Sequence, residues 1–182
     1  KNAKPGDVVL LHACCHNPTG VDPTIEQWEQ IAAFIAERRL LPLIDFAYQG
    51  FGQGLEEDAA GIHAVLRHSS EAIVCNSFSK NFGLYSERVG GLSLVASDAS
   101  EAKAAQSHLK RAVRSNYSNP PRHGAAIVAT ILDDASLTSS WHAELKGMRD
   151  RIRSLRRQFV ETMATTGAGH DFSFLLEQHG MF

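Results

Sequence analysis

Two short apolar runs, Val8–Ala13 and Leu41–Asp45, bracket a stretch in which Trp28, Ile31, Ala32, Phe34 and Ile35 recur at helical spacing. That pattern constrains the fold more than any other feature of the chain. Continuous apolar runs of this kind read as strands buried on both faces, and a helix between two of them makes a βαβ unit with parallel pairing and a right-handed crossover. Asp22 is expected to cap the helix, with Pro23 at its first position and an end near Arg38. Asp58–His68 predicts a second helix and Ala72–Asn76 a third strand. The next apolar run, Val89–Ala96, follows after only about a dozen residues, too few for a crossover helix, so it is expected to run antiparallel to the third strand.

Beyond it, Asp98–Arg114, His123–Leu132 and the stretch from about Ala135 to Thr165 read as helices. Asn116–Pro121 breaks the chain between the first two, Gly167–Gly169 ends the long one, and Phe172–Gln178 reads as a strand. The expectation is an α/β fold, three-layered α/β/α, whose mostly parallel sheet carries one antiparallel strand. Residues 1–147 would be the central part of a large domain. Residues 148–182 would hold a long bridging helix and the first strand of a smaller α+β domain.

A formal net charge of −2 gives no electrostatic reason to expect nucleic acid or an anionic membrane as partner. Five arginines between Arg149 and Arg157 read as a solvated helix face, because no aromatic residues interleave with them. No apolar run approaches the roughly 18–20 residues needed to span a bilayer. Three cysteines, Cys14, Cys15 and Cys75, form no disulfide framework and predict reduced thiols and a cytoplasmic location. A metal site from His12, Cys14, Cys15 and His16 is not expected, since adjacent cysteines lack the Cys-x₂₋₄-Cys spacing of zinc ligands. The chain opens on Lys1 and stops on Gly180-Met-Phe182, from which an interior segment of a longer polypeptide is expected.

The chemistry concentrates in Ser77-Phe-Ser-Lys-Asn-Phe-Gly-Leu-Tyr-Ser-Glu-Arg88. This connection carries two phenylalanines and is expected to fold inward, leaving Lys80 partly buried and so easier to use as a nucleophile. In an open parallel sheet, ligands sit beyond the carboxyl ends of the strands. There the chain offers Asn17 after the first strand, Asp45 and Tyr48 after the second, and Ser77, Ser79 and Lys80 after the third. A pyridoxal phosphate site needs these residue types: a lysine for the Schiff base, a carboxylate for the pyridine nitrogen, donors to the ring oxygen, and hydroxyls with an arginine (Arg88) for the phosphate. Taken singly, each has a plainer role. Asp45 could be a turn residue, Tyr48 packing, Arg88 half of a surface ion pair, His12 a core histidine and Asn17-Pro a turn. Ser77-Phe-Ser-Lys80 also matches the Ser-x-x-Lys of penicillin-recognising proteins, but it follows a strand and no Lys-Thr-Gly accompanies it.

Taken in order, Asn17-Pro-Thr-Gly20, Asp45-Phe-Ala-Tyr48, Ser77-Phe-Ser-Lys80 and Arg88 resemble the class I aminotransferases of PLP fold type I. His12–Asp22, Ser77–Gly91 and Arg114-Ser-Asn-Tyr-Ser-Asn-Pro-Pro121 resemble the aspartate and aromatic amino-acid subgroup. The resemblance implies that Lys80 forms the Schiff base and moves the proton in transamination. It implies that Asp45 pairs with the pyridine nitrogen, backed by His12, that Tyr48 and Asn17 bond the ring oxygen, and that Ser77, Ser79 and Arg88 hold the phosphate. Asn17 would also contact the substrate, and Arg114 would reach the neighbouring subunit's site in a homodimer and pair with a second substrate carboxylate. The reaction implied is a ping-pong exchange between an L-amino acid, aspartate by preference, and 2-oxoglutarate through pyridoxamine phosphate, within a chain about twice as long. An aromatic amino-acid substrate, or a catalytically incompetent fragment, are the alternatives.

Overall fold

The computed structural model describes residues 2–167 and 169–181. Four strands, β1 (Val8–His12), β2 (Leu41–Phe46), β3 (Ala72–Ser77) and β4 (Gly90–Val95), form one sheet in the order β1-β2-β3-β4. The first three are parallel and β4 is antiparallel to β3, as the short connection between them requires. Helices α1 (Ile25–Arg38) and α2 (Ala60–His68) are the two crossovers and pack against each other on one face. There Trp28 and Ala32 of α1 and Ile62, Ala64 and Val65 of α2 meet Ile44, Phe46 and Val74 of the sheet in one buried cluster.

Asp22 does not cap α1. Thr24 does, accepting from the Gln27 amide while the Gln27 side chain returns to the Thr24 amide, a capping box that spares two otherwise orphaned donors. Asp22 instead accepts from the amides of Cys15 (2.7 Å) and His16 (2.9 Å), bracing a turn in which Cys15 has a left-handed backbone (φ 52°).

On the opposite sheet face the register aligns Leu10, Leu43, Ile73 and Leu94 in one row and His12, Asp45, Cys75 and Leu92 in the next. Helix α3 (Ala99–Asn116), capped by Asp98, lies over the β4 end of this face, with Leu92 and Leu94 facing Ala102 and Leu109 across a cavity of about 380 Å³. No helix of the chain reaches the β1 end among the described residues, and Val8 and Leu10 stay 58% and 62% exposed. The expectation that β1 is buried on both faces is therefore corrected.

Helices α4 (Arg122–Asp133) and α5 (Ala135–Thr165) meet at Asp134, whose carboxylate accepts from the first amides of α5. The division expected between residues 147 and 148 falls inside the unbroken α5. Of its apolar stripe, Leu145 enters the core beside Trp141 and Ile152, whereas Leu155 and Phe159 stay half-exposed. The arginine face is not simply solvated. Arg149 donates to the Gly50 carbonyl, Arg153 to Gly52, and Arg156 to Gln178 and Gly180. No strand forms over Phe172–Gln178. A 3-10 turn, Ser173–Glu177, takes its place because Asp171 bonds both the amide and the hydroxyl of Ser173 and turns the chain. Ala168, within the expected Gly167–Gly169 break, lies outside the described residues.

Asp58, only 6% exposed, organises the loop after β2. Its Oδ2 accepts from the amides of Gly50 (2.7 Å) and Gly52 (3.0 Å), and its Oδ1 from Gln53 (2.7 Å) and Gly54 (3.4 Å). Gly52 has no substitute, since a Cβ there would overlap the Asp58 carboxylate. With this side chain removed, buried donors lose their acceptor at once. Asp58→Ala should cost about 3 kcal/mol, read as a lowered midpoint in urea unfolding.

Candidate active site

The carboxyl ends of β2 and β3 open into a cavity of about 410 Å³ lined by Asp45, Ser77, Ser79, Lys80 and Arg88, with Tyr85 and Cys75 beside them. Two neighbouring parallel strands that end together, followed by a connection folding back across them, bring these groups to one place. Asp45 is held by its own turn, its Oδ1 accepting from the Ala47 amide at 3.0 Å. His12 is its partner in the β1–β2 register, one strand away on the same face. The His12 ring meets His16 edge-on at 4.9 Å.

Lys80 is half-buried, and its Nζ lies 4.8 Å from the centre of the Tyr48 ring, within cation–π range. Tyr48 is buried, and its hydroxyl accepts from Asn17 Nδ2 at 3.2 Å. Burial raises the Tyr48 pKa above the ordinary tyrosine value of 10.0, the Asp45 charge adds to this, and the Asn17 hydrogen bond works against it. Burial, again with Asp45, pushes the Cys75 thiol up. Ser79 is buried, and its amide donates to Ser77 Oγ at 3.2 Å, leaving the Ser77 hydroxyl proton free to donate elsewhere. Arg88 adopts a left-handed backbone (φ 52°) and spends one guanidinium donor on the Tyr85 carbonyl (2.8 Å), which aims the fork. A cation, two hydroxyls, a carboxylate and an amine around one cavity are the groups that fit a ligand carrying a phosphate, a ring nitrogen and a carbonyl.

Four residues expected at the site stand outside the cavity lining: His12, Asn17, Tyr48 and Arg114. Tyr48 meets it through its ring, 4.8 Å from Lys80 Nζ. Asn17 reaches it only through Tyr48. Arg114 is exposed in the last turn of α3, its Nη1 donating to Ser118 Oγ at 2.6 Å.

A larger cleft of about 730 Å³, between the start of α1 and the 52–61 segment, is lined by Asp22, Glu26, Glu57, Asp58 and Glu177 and by no lysine or arginine. Its sign is wrong for a phosphate. Cys14, Cys15 and Asp58 come within 4.8 Å of one another nearby, but both Asp58 oxygens are already committed to amides. Contact with Cys15, followed by burial, drives the Cys14 pKa far above the ordinary thiol range.

Sequence reasoning missed Asn81, Trp141 and Asp58, which hold the site's two loops. Asn81 and Trp141 find partners 32 and 60 residues away, which no local pattern announces, whereas Asp58 closes on amides four to eight residues before it. Thr24-x-x-Gln27 was legible as a capping box and outranked the Asp22-Pro23 signal.

The fold and this grouping mark a class: an α/β protein whose strand-end site combines an amine, a carboxylate and a cation. The chain belongs to the class I and II aminotransferases, whose family model matches residues 1–182. It is 57% identical over 180 residues to the aspartate aminotransferase of Salmonella typhi, covering 99% of this chain and 46% of that protein. Over 175 residues it is 49% identical to the aromatic-amino-acid aminotransferase of Escherichia coli K12, covering 96% of this chain and 44% of that one. The structure superposes with a TM-score of 0.96 on an aromatic-amino-acid aminotransferase from Burkholderia pseudomallei covalently bound to pyridoxal phosphate, at 49% identity over 99% of this chain and 45% of that chain. The chain thus spans about half the length of the curated relatives it matches.

The Tyr48 environment can be read directly. An ultraviolet titration of phenolate should show a component appearing at higher pH than ordinary tyrosine and absent from Tyr48→Phe. In Asn17→Ala that component should move higher still, because the hydrogen bond favouring the phenolate is gone.

Proposed function

We propose that this chain carries the cofactor-binding core of a pyridoxal-phosphate-dependent aminotransferase. It would move an amino group from an L-amino acid, aspartate by preference, to 2-oxoglutarate in two alternating half-reactions. The supporting observation is the convergence of Asp45, Ser77, Ser79, Lys80 and Arg88 on one cavity. When bound, the cofactor supplies an aldehyde that captures the amine and a ring that takes up electrons.

The chain's own residues do the rest. Lys80 Nζ is the nucleophile that holds the cofactor and the base that moves the substrate proton, and it sits 4.8 Å from the centre of the Tyr48 ring. Asp45 holds a proton at the ring nitrogen, its carboxylate fixed by the Ala47 amide and His12 standing alongside. Tyr48 and Asn17, bonded to each other, point two donors at the ring oxygen. Ser77, Ser79 and Arg88 grip the phosphate and set the ring's distance from Lys80. Residues 1–147 serve as the large-domain core, and α5 leads into a second domain.

Arg114, exposed and away from its own chain's cavity, serves the neighbouring subunit's site in a homodimer, where it pairs with a second substrate carboxylate. The free cysteines fit a reducing cytoplasm, and no described helix is long and apolar enough to cross a membrane.

Lys80→Ala should reduce turnover to background while the cofactor still binds without a covalent link; undiminished turnover would sink the reading. Arg88→Ala should weaken cofactor affinity by about 10- to 100-fold in equilibrium dialysis, the worth of a charge-assisted hydrogen bond. Arg114→Ala should lower kcat/KM for aspartate by about a hundredfold and for phenylalanine by less than about fivefold. Equal losses would make the aromatic substrate the better reading.

A further inference from the structure

Asn81 follows Lys80 and is only 3% exposed, yet it does not line the cavity. Its Nδ2 donates to the Gln49 carbonyl at 3.3 Å, and its own carbonyl accepts the indole N–H of Trp141 on α5 at 2.7 Å. Gln49 follows Tyr48, whose ring lies 4.8 Å from Lys80 Nζ. Backbone, hydrogen bond and ring contact therefore close a small circuit: Lys80, Asn81, Gln49, Tyr48 and back to the amine. Phe82 stacks on the Trp141 indole at 4.3 Å and 19°, a second tie from the same loop to the same helix residue.

This arrangement is poorly explained by stability. The Asn81 Oδ1 is buried and has no hydrogen-bond partner among the described residues, a desolvation cost that an apolar side chain would avoid. A residue that carries such a penalty beside a reactive lysine is better explained by what it holds in place.

We propose that Asn81 and Trp141 are positioning residues for Lys80, joining α5 to the Tyr48 loop through the residue after the lysine and so fixing where the amine sits. This rests on the assignment of Lys80 as the cofactor-holding nucleophile. Displacing that amine by a fraction of an ångström changes both its proton affinity and its approach to the reacting atoms, while substrate binding groups stay where they were.

The test uses the cofactor-loaded protein and two variants. Trp141→Phe keeps a ring on Phe82 and deletes the N–H donor together with part of the indole's volume; Asn81→Ala deletes the link to Gln49. The readouts are the pH midpoint at which the bound cofactor's visible band titrates, and kcat and KM measured separately. Trp141→Phe should move the midpoint by at least about 0.3 pH units and lower kcat about 5- to 20-fold, and Asn81→Ala should lower it up to about a hundredfold, with KM within about twofold for both. Ile35→Val, a core truncation on α1, should lower the melting temperature without moving the midpoint. The proposal is overturned if Trp141→Phe leaves midpoint and kcat unchanged, or if Ile35→Val moves the midpoint as far. Should Asn81→Ala fail to fold, Trp141→Phe alone decides. Lys80→Ala separates the two levels: undiminished turnover removes the lysine assignment and this inference with it. Lost turnover combined with an unmoved Trp141→Phe midpoint removes this inference alone.

Discussion

Asp58 is a buried carboxylate, and burial of that kind is tolerable only where donors replace water. Four backbone amides do so, and in pointing at one side chain they fix the conformation of the whole 50–54 loop. Arg149 and Arg153 grip two carbonyls of the same loop from α5. The loop is thus satisfied on both edges of its peptide planes, which lets a glycine-rich segment behave as a rigid part. Tyr48 and Gln49 enter this clamp from β2, and through them it reaches Asn17, Asn81 and Lys80.

Helix α5 acts on the site from a distance by the same means. Trp141 holds the loop after Lys80, Leu145 fills the core beneath Gly50, and Arg149 and Arg153 hold the loop after Tyr48. One turn further, Arg156 gathers in the carbonyls of Gln178 and Gly180. A single helix therefore sets the relative placement of the lysine and the phenol, two groups in loops that follow different strands. Charge on this helix is spent on backbone carbonyls, where a fixed guanidinium fork gives direction as well as attraction.

The four-stranded order and the reversal at β4 were legible because they follow from chain length and hydrophobic period. The groups around Lys80 were legible as chemistry because their residue types and order along the chain are unusual, though singly each had a plainer explanation. Less was legible where two local signals competed or where a partner lay far off. Asp22-Pro23 looked like a helix start, but Thr24 with Gln27 satisfies two amides and wins, freeing Asp22 to hold the turn before Asn17. Phe172–Gln178 has a strand's composition, but Asp171 turns it and no sheet edge accepts it.

The sequence by itself determined the four strands of the sheet, the helices and the list of reactive groups, because these rest on periodicity and residue type over short spans. Only the tertiary structure decided that Asp45, Ser77, Ser79, Lys80 and Arg88 share one cavity, that Arg114 stands apart from it, and that Asn81, Trp141 and Asp58 hold its walls. The ties of Asn81 and Trp141 join residues 32 and 60 positions apart, and a buried donor or acceptor announces its partner only once both are out of water.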